Sequence, residues 1–416
     1  SVLSNGLYSM LPDGSDISLE NKVMPDNGYI FSIEKAPSGN LFLGVRNAVC
    51  IYNPESIELK TIERFDANPP ILSYCMYFDA AHNCLWVGTL DNGVFRLLLS
   101  EDGSRVLHRK TYRHSDRDPL SLSSDNIMHI APYGNEALLI ATLGGGLNIF
   151  DIKTGCSRHF SSADSGFPSD NARYSLQDAD GSIWVGTSYG ICHGYRNAAG
   201  EWHFDAYGEN EGLGDNTIHS ILKDGDGRLW LGTNKGLSIF DPSIAKFTNM
   251  GNVSSLQGME FYIHSALKSE DGAMYFGGVN GVNWFYPDSL KPRDFAPELL
   301  LGKLTVRLND SRPLHDGSRI VLSHNENFFN ISFSAVEYIN NSSCEYSYQL
   351  EGFNTDPVKV ASGVPAVFTN VPPGKYRFTV SSTNGDGVWC DNTKSIYIRI
   401  RNPWYLTWWA YCLYLA

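Results

Sequence analysis

The chain has 416 residues, 42% of them hydrophobic, with a formal net charge of -13 and no basic run. That balance excludes a surface that tracks nucleic-acid phosphates, which needs clustered Lys and Arg. The eight cysteines, at 50, 75, 84, 156, 192, 344, 390 and 412, form no Cys-x-x-Cys pair, so a thiolate metal cluster is not expected; Cys75 with Cys84, or Cys344 with Cys390, could pair in an oxidising compartment.

In chain order, Asn5 to Met10 reads as the third strand of a repeat unit and Ser15 to Leu19 as its fourth, with the first two strands missing. This reads as a fragment of something longer. Six complete units follow between about Gly28 and Tyr286. Each holds a short apolar strand with a small residue at its fourth position: Gly44, Gly88, Ala141, Gly186, Gly232 and Gly277, at intervals of 44, 53, 45, 46 and 45. A period in this range that carries strands is the signature of radially stacked sheets.

The clearest unit runs from Thr217 to Asp241: an inner strand, an Asp224-Gly225-Asp226-Gly227 turn, Leu229 to Thr233, an Asn234-Lys235-Gly236 turn, and a third strand. A more polar fourth strand, such as Glu201 to Tyr207, completes a blade. Trp86, Trp184 and Trp230 are expected between blades, where stacking must bury both sheet faces. The pairs Asp26-Asn27, Asp125-Asn126, Asp170-Asn171 and Asp215-Asn216 precede inner strands and are expected to be Asx turns. Asp178 to Gly181 and Asp224 to Gly227 open like calcium loops but lack the Glu at position twelve, so hairpin turns are expected and no metal site.

After Pro287 the period stops. Strands suggested at Leu299 to Leu308, Arg319 to Leu322, Phe328 to Phe333, Glu345 to Leu350, Ala366 to Thr369, Lys375 to Ser381 and Ser395 to Arg401 fit an immunoglobulin-like β-sandwich. Trp404 to Ala416 carries no charge and is rich in Trp and Tyr, as the start of a truncated transmembrane helix would be. The expected organisation is all-β: a seven-bladed-type β-propeller over 1–290 (six complete blades plus part of another), a sandwich over 291–402, and the beginning of a membrane helix over 403–416.

The segment Asp224 to Phe240, with Leu229-Trp230-Leu231-Gly232-Thr233 and then Gly236-Leu237, resembles the two-component regulator propeller repeat. The second domain resembles the triple-tyrosine domain through Ile331 to Ala335 with Tyr338, Tyr346 to Phe353, Asn370 to Tyr376 and Asn384 to Trp389; it departs at Asp356-Pro357-Val358, where a Trp is common. Pro403-Trp404 with Trp408-Trp409 is similar to the entry into that family's membrane helix. The resemblance implies the periplasmic sensor region of a Bacteroides-type hybrid two-component histidine kinase in the inner membrane. Such a region would bind an oligosaccharide, dimerise through the sandwich, and relay the signal through the membrane helix to a kinase controlling transcription. No kinase motif lies in this chain, so neither catalysis, nor a cofactor, nor direct nucleic-acid contact is expected of it.

Sugars are held by planar amides, carboxylates and Arg against hydroxyls, with aromatic rings on their apolar faces. The turns between second and third strands open onto one face and offer Arg46, Asn47, Asp91, Asn92, Tyr189, Asn234, Lys235 and Asn280; other loops add Arg173, Glu260 and Tyr262. These eleven are the candidate ligand-binding residues. Two other readings stay open, a propeller-fold carbohydrate-active enzyme and a protein-interaction scaffold. For the enzyme, His129, His193, His203, His219 and His264 lie on separate strands, and only a propeller axis could gather them.

Overall fold

The computed structural model describes residues 7–10, 17–19, 29–36, 38–164, 166–250, 256–290, 295–307, 310–337, 344–385, 389–403 and 405. The expected Asp26-Asn27 turn, Tyr338, Trp404 and Trp408-Trp409 lie outside these. The chain divides into two compact units, Ser1–Gly251 with Gln257–Pro287, and Asn252–Leu256 with Asp288–Ala416.

The first unit is a β-propeller. Five antiparallel four-stranded sheets follow one another in sequence. Their inner strands are Ile30–Lys35, Ser73–Asp79, Ile127–Tyr133, Ala172–Gln177 and Ser220–Lys223. A sixth sheet, Phe261–Lys268, Met274–Gly278 and Gly281–Phe285, has three strands among the described residues, where a complete blade was expected. The partial N-terminal blade is the antiparallel pair Tyr8–Met10 and Ile17–Leu19, and Leu7 beside it packs into the core of the first sheet. Lys35 Nζ reaches Glu270 Oε1 at 3.4 Å, an ion pair between the first and sixth sheets.

The recurring small residue has a packing cause. A Cβ on Gly88 would lie 2.6 Å from Ile127 Cγ2, and one on Gly186 would lie 2.6 Å from Ile218 Cγ2, each belonging to the next blade. Where the marker is Ala141, its cluster contains Ala172 in the column of those isoleucines. One side of the interface is kept small so that the other can fill it. The tryptophans behave as expected: Trp86 and Trp230 are fully buried and Trp184 is 3% exposed. Each such ring removes some 150–250 Å² from water, roughly 5 kcal/mol before entropy is subtracted.

The aspartates of the two Asp-Gly turns hold the second and third of these rings. Trp230 Nε1 donates to Asp224 Oδ2 at 2.9 Å and Trp184 Nε1 to Asp178 Oδ2 at 3.3 Å. The Asp-Asn pairs do more than the expected local turn. Asp215 does accept from Thr217 N at 3.0 Å, but Asp125 accepts from His114 N at 2.7 Å and Asp170 from Ser162 N at 2.6 Å, on the outgoing chain of the preceding blade. Their carbonyls also accept from the preceding sheet, from Gly93 N at 2.9 Å and Gly146 N at 2.8 Å. The repeated dipeptide therefore staples neighbouring blades.

The second unit is a two-sheet sandwich. One sheet contains Leu299–Arg307, Asp310–Pro313, Phe329–Ala335 and Ala366–Phe368; the other contains Arg319–Leu322, Glu345–Glu351, Val358–Ala361, Gly374–Ser382 and Lys394–Ile400. All seven expected strands are present, and Asp310–Pro313 and Val358–Ala361 are additional short edge strands. Tyr346, Tyr348 and Leu350 alternate into the core, as the strand period requires. Tyr346 Oη accepts the Ala335 N–H at 2.9 Å, so the buried hydroxyl ties one sheet to the other.

Candidate functional site

Each inner strand of the first four sheets carries a β-bulge at the same place. The ladder steps from Ile30 to Ser32, Ser73 to Cys75, Ile127 to His129 and Ala172 to Tyr174, leaving Phe31, Tyr74, Met128 and Arg173 unpaired. The sixth sheet skips more widely, from Phe261 to Ala266, with His264 at φ 58° inside the gap. A bulge re-aims its side chains and twists the strand. Here rings from four different sheets meet, which places them at the propeller axis. Tyr74 meets His264 edge-on with centroids 5.4 Å apart, while His129 stacks on Tyr174 at 3.9 Å and on His264 at 5.6 Å.

Burial sets the charge of this cluster. Desolvation lowers His264 to about 4, helped by His219 and opposed by a backbone bond at Met128, and it takes His129 well below the usual histidine range. Desolvation likewise raises Tyr174 to about 12 and Glu34 to about 7, although Glu34 Oε1 accepts the Phe78 N–H at 3.1 Å. At neutral pH the axial histidine and tyrosine rings are uncharged.

His219 joins this cluster to the turn face. Its Nε2 lies 2.8 Å from Asn234 Oδ1, whose amide nitrogen donates to Asp215 Oδ1 at 3.3 Å. This fixes the amide oxygen towards the imidazole, so Nε2 carries the proton and Nδ1 keeps its lone pair. Nδ1 is buried without a hydrogen-bond partner, as is His264 Nε2. Burial lowers the His219 pKa first, and Arg173 adds to this, while Asn234, Asp215 and Glu260 oppose it. Arg173 is held by Nε to Ser188 Oγ at 3.0 Å. Lys235 Nζ hovers 3.7 Å from Glu209 and 3.8 Å from Asp215.

Of the eleven candidate residues, Arg173, Asn234 and Glu260 thus gather around His219, and Lys235 stands by the same Asp215 that Asn234 bonds. The others have separate places. Asn47, at φ 56°, uses its side-chain oxygen on Ile71 N at 2.7 Å to staple two blades, beside exposed Arg46. Asp91 offers its carbonyl to Arg113, and Asn92 donates weakly to Leu90 O at 3.5 Å. Tyr189 is 67% exposed and Tyr262 45%, and Asn280 N donates to Gln257 Oε1 at 2.6 Å. Sequence reasoning missed Glu34, Tyr74 and Tyr174; of the five histidines that a propeller axis could gather, the structure brings together His129, His219 and His264. A signal was present: each histidine and tyrosine of the cluster stands opposite a marker residue or one position before it. Among the described residues no group of three or more His, Cys, Asp or Glu side chains is placed to hold a metal.

Residues 166–189 and 212–235 match the two component regulator propeller model, and residues 337–401 match the Y_Y_Y domain. The histidine kinase P4 of Formosa agariphila is 28% identical over 217 residues, which is 50% of this chain and 16% of that protein. The fold matches the extracellular domain of BT3049 from B. thetaiotaomicron, assigned to a hybrid two component system, with TM-score 0.77 and 24% identity, over 96% of this chain and 56% of that one. A streptogramin B lyase is similar in fold, with TM-score 0.50 and 14% identity over 68% of this chain and 87% of its own. The chain therefore spans only part of the length of the two-component proteins it matches.

Proposed function

We propose that this chain of two component regulator propeller repeats and a Y_Y_Y domain is the extracellular, periplasmic sensing region of an inner-membrane hybrid two-component system. In this reading an oligosaccharide docks on the turn face at the mouth of the axis. The sandwich, as a homodimer, passes the altered state through a membrane segment to a kinase outside the chain. Among the described residues no helix is long and apolar enough to cross a membrane; of 403–416 only residues 403 and 405 are described.

The observation that carries this reading is the cluster of Arg173, His219, Asn234 and Glu260, with a bare acceptor at His219 Nδ1. It offers a cation, an amide, a carboxylate and a lone pair beside aromatic rings, the set that hydroxyl groups on a ring can satisfy together. Only a difference in ligand affinity between two sensor states can move the equilibrium, so affinity is the quantity to measure. Titration calorimetry against a panel of neutral oligosaccharides tests it. At least one should bind saturably without being cleaved, and His219→Ala should weaken it at least tenfold. Absence of saturable binding across the panel would refute the reading.

A second reading, catalysis, has one observation in its favour: the axis gathers His129, His219 and His264 in space. Release of products in the same titrations would select it.

A further inference from the structure

The opposite end of the propeller carries a second feature, on the fourth sheet. Pairing to the second strand aligns the third strands residue by residue. The partner two positions before the marker is Ile51, Ile149 and Ile239 in the first, third and fifth sheets, Arg96 in the second, Trp284 in the sixth and His193 in the fourth. Two positions further along those strands stand Asn53, Asp151, Asp241 and, in the fourth sheet, Tyr195. The Asn and the two Asp cap the following turn, accepting from Glu55 N, Thr154 N and Ser243 N at 2.9, 2.7 and 2.9 Å. In the fourth sheet the third strand runs on to Arg196, and Asn197 takes over the cap, accepting from Ala199 N at 2.9 Å. The first, third and fifth sheets stand without rings at these columns, while the second has Arg96 and Leu98 there and the sixth Trp284 and Tyr286, so the columns are free to vary with what the surface of each blade does.

The rings at 193 and 195 face a cleft of about 540 Å³ lined by Tyr133, Asp180, Ser182, His193, Tyr195 and Arg196. This lies within the span of small-molecule sites, roughly 300–1,000 Å³. His193 is stacked on Trp184 at 4.2 Å, and Tyr195 lies 5.3 Å from His193, so the rings are fixed by their neighbours. Asp180 is kept ionised by bonds from Ser182 Oγ at 2.6 Å and Ser182 N at 2.9 Å. Arg196 rests over the Trp202 ring at 5.1 Å and donates to Gly200 O at 3.1 Å, leaving further N–H groups unspent. Asp180 and Arg196 set one anion against one cation in the lining, and Asp205 accepts from the Tyr195 hydroxyl at its edge. The cleft joins flat apolar surface to donors and acceptors around a rim.

We infer that this cleft is a second binding site, taking one uncharged glycosyl ring with its C–H face on Tyr195 and His193 and its hydroxyls on Asp180, Arg196 and Tyr133. It goes beyond the axial reading and uses none of that site's residues. The turn beside it, between first and second strands, opens at the end of the sheet opposite the Ser188-Tyr189 turn, so both sites can be filled together.

The test is saturation-transfer NMR on the full chain with methyl glycosides of glucose, galactose, mannose, xylose and N-acetylglucosamine at millimolar concentration. At least one should receive saturation. Tyr195→Asp, which installs the residue the third and fifth sheets carry, should weaken that binding at least tenfold, and so should the surface change Arg196→Gln. His219→Ala should leave it unchanged, which separates failure of this site from failure of the axial one. Absence of transfer to every glycoside would overturn the inference. So would transfer that survives both cleft variants, or transfer lost only in His219→Ala.

Discussion

Glu34 gives the sharpest test of how the axis is built. Its carboxyl is raised from 4.5 to about 7 by burial, so the folded protein holds that proton to higher pH than the unfolded chain does. Its contribution to stability is complete below about 4.5 and is lost as pH rises through about 7. The interval between those values, at about 1.4 kcal/mol per pH unit, makes the loss about 3 kcal/mol. His264 works in the opposite sense. Lowered from 6.5 to about 4, its contribution is present above 6.5 and is lost as pH falls through about 4. Between about 4.5 and 6.5 the two slopes oppose each other. Glu34→Gln removes one of them while keeping an oxygen for the Phe78 N–H. The variant should match the wild type near pH 4.5 and exceed it by about 3 kcal/mol at pH 8. In calorimetric melts of the propeller transition this is a rise of roughly 6 °C at pH 8. An equal shift at both pH values, or a variant less stable at pH 8, would refute the placement of a buried, protonated carboxyl beside the axis.

Gly186→Ala should cost about 1–3 kcal/mol through the clash with Ile218, and Ile218→Ala in the same chain should recover part of it, since Ala141 coexists with Ala172 in the third interface; a double-mutant cycle measures the coupling. Tyr346→Phe leaves the Ala335 N–H without its acceptor inside the sandwich and should cost about 1–3 kcal/mol, read from the calorimetric transition of that unit. Lys235→Ala removes only exposed pairs at 3.7 and 3.8 Å and should change unfolding free energy by less than about 0.5 kcal/mol in urea titration.

The sheets were legible because stacking makes the same demand once per blade. Small residues at 44, 88, 141, 186, 232 and 277 mark where a neighbour presses in, and Gly or Asx marks where the chain must reverse. The sandwich was legible for a related reason, since Tyr346, Tyr348 and Leu350 follow the strand period into a single core. The axial cluster was harder. Tyr74, His129, Tyr174 and His264 belong to four blades, and no local rule links residues that far apart in the chain. The bulge that aims them is also silent in sequence, because it adds one residue to a strand without breaking its apolar character. The Asp-Asn pairs show the reverse failure: a local turn accounts for the residue types, yet Asp125 and Asp170 spend their carboxylates on a different blade.

A repeat also offers a way past this limit. Where the first, third and fifth sheets use Ile and a capping Asn or Asp at two columns of the third strand, the fourth carries His193 and Tyr195 and moves the cap to Asn197. On the inner strands the column opposite the marker holds Ser32, Cys75, His129, Tyr174 and Ser220, so small residues suffice wherever no function intervenes. His129 and Tyr174 place rings at the axis, and burial there shifts Glu34 and His264 as well as the two rings themselves. The axial cluster and the fourth-sheet cleft fall at two separate ends of the propeller. A single ligand of ordinary size cannot account for both, and this is the physical ground for treating the axial mouth and the fourth-sheet cleft as independent sites.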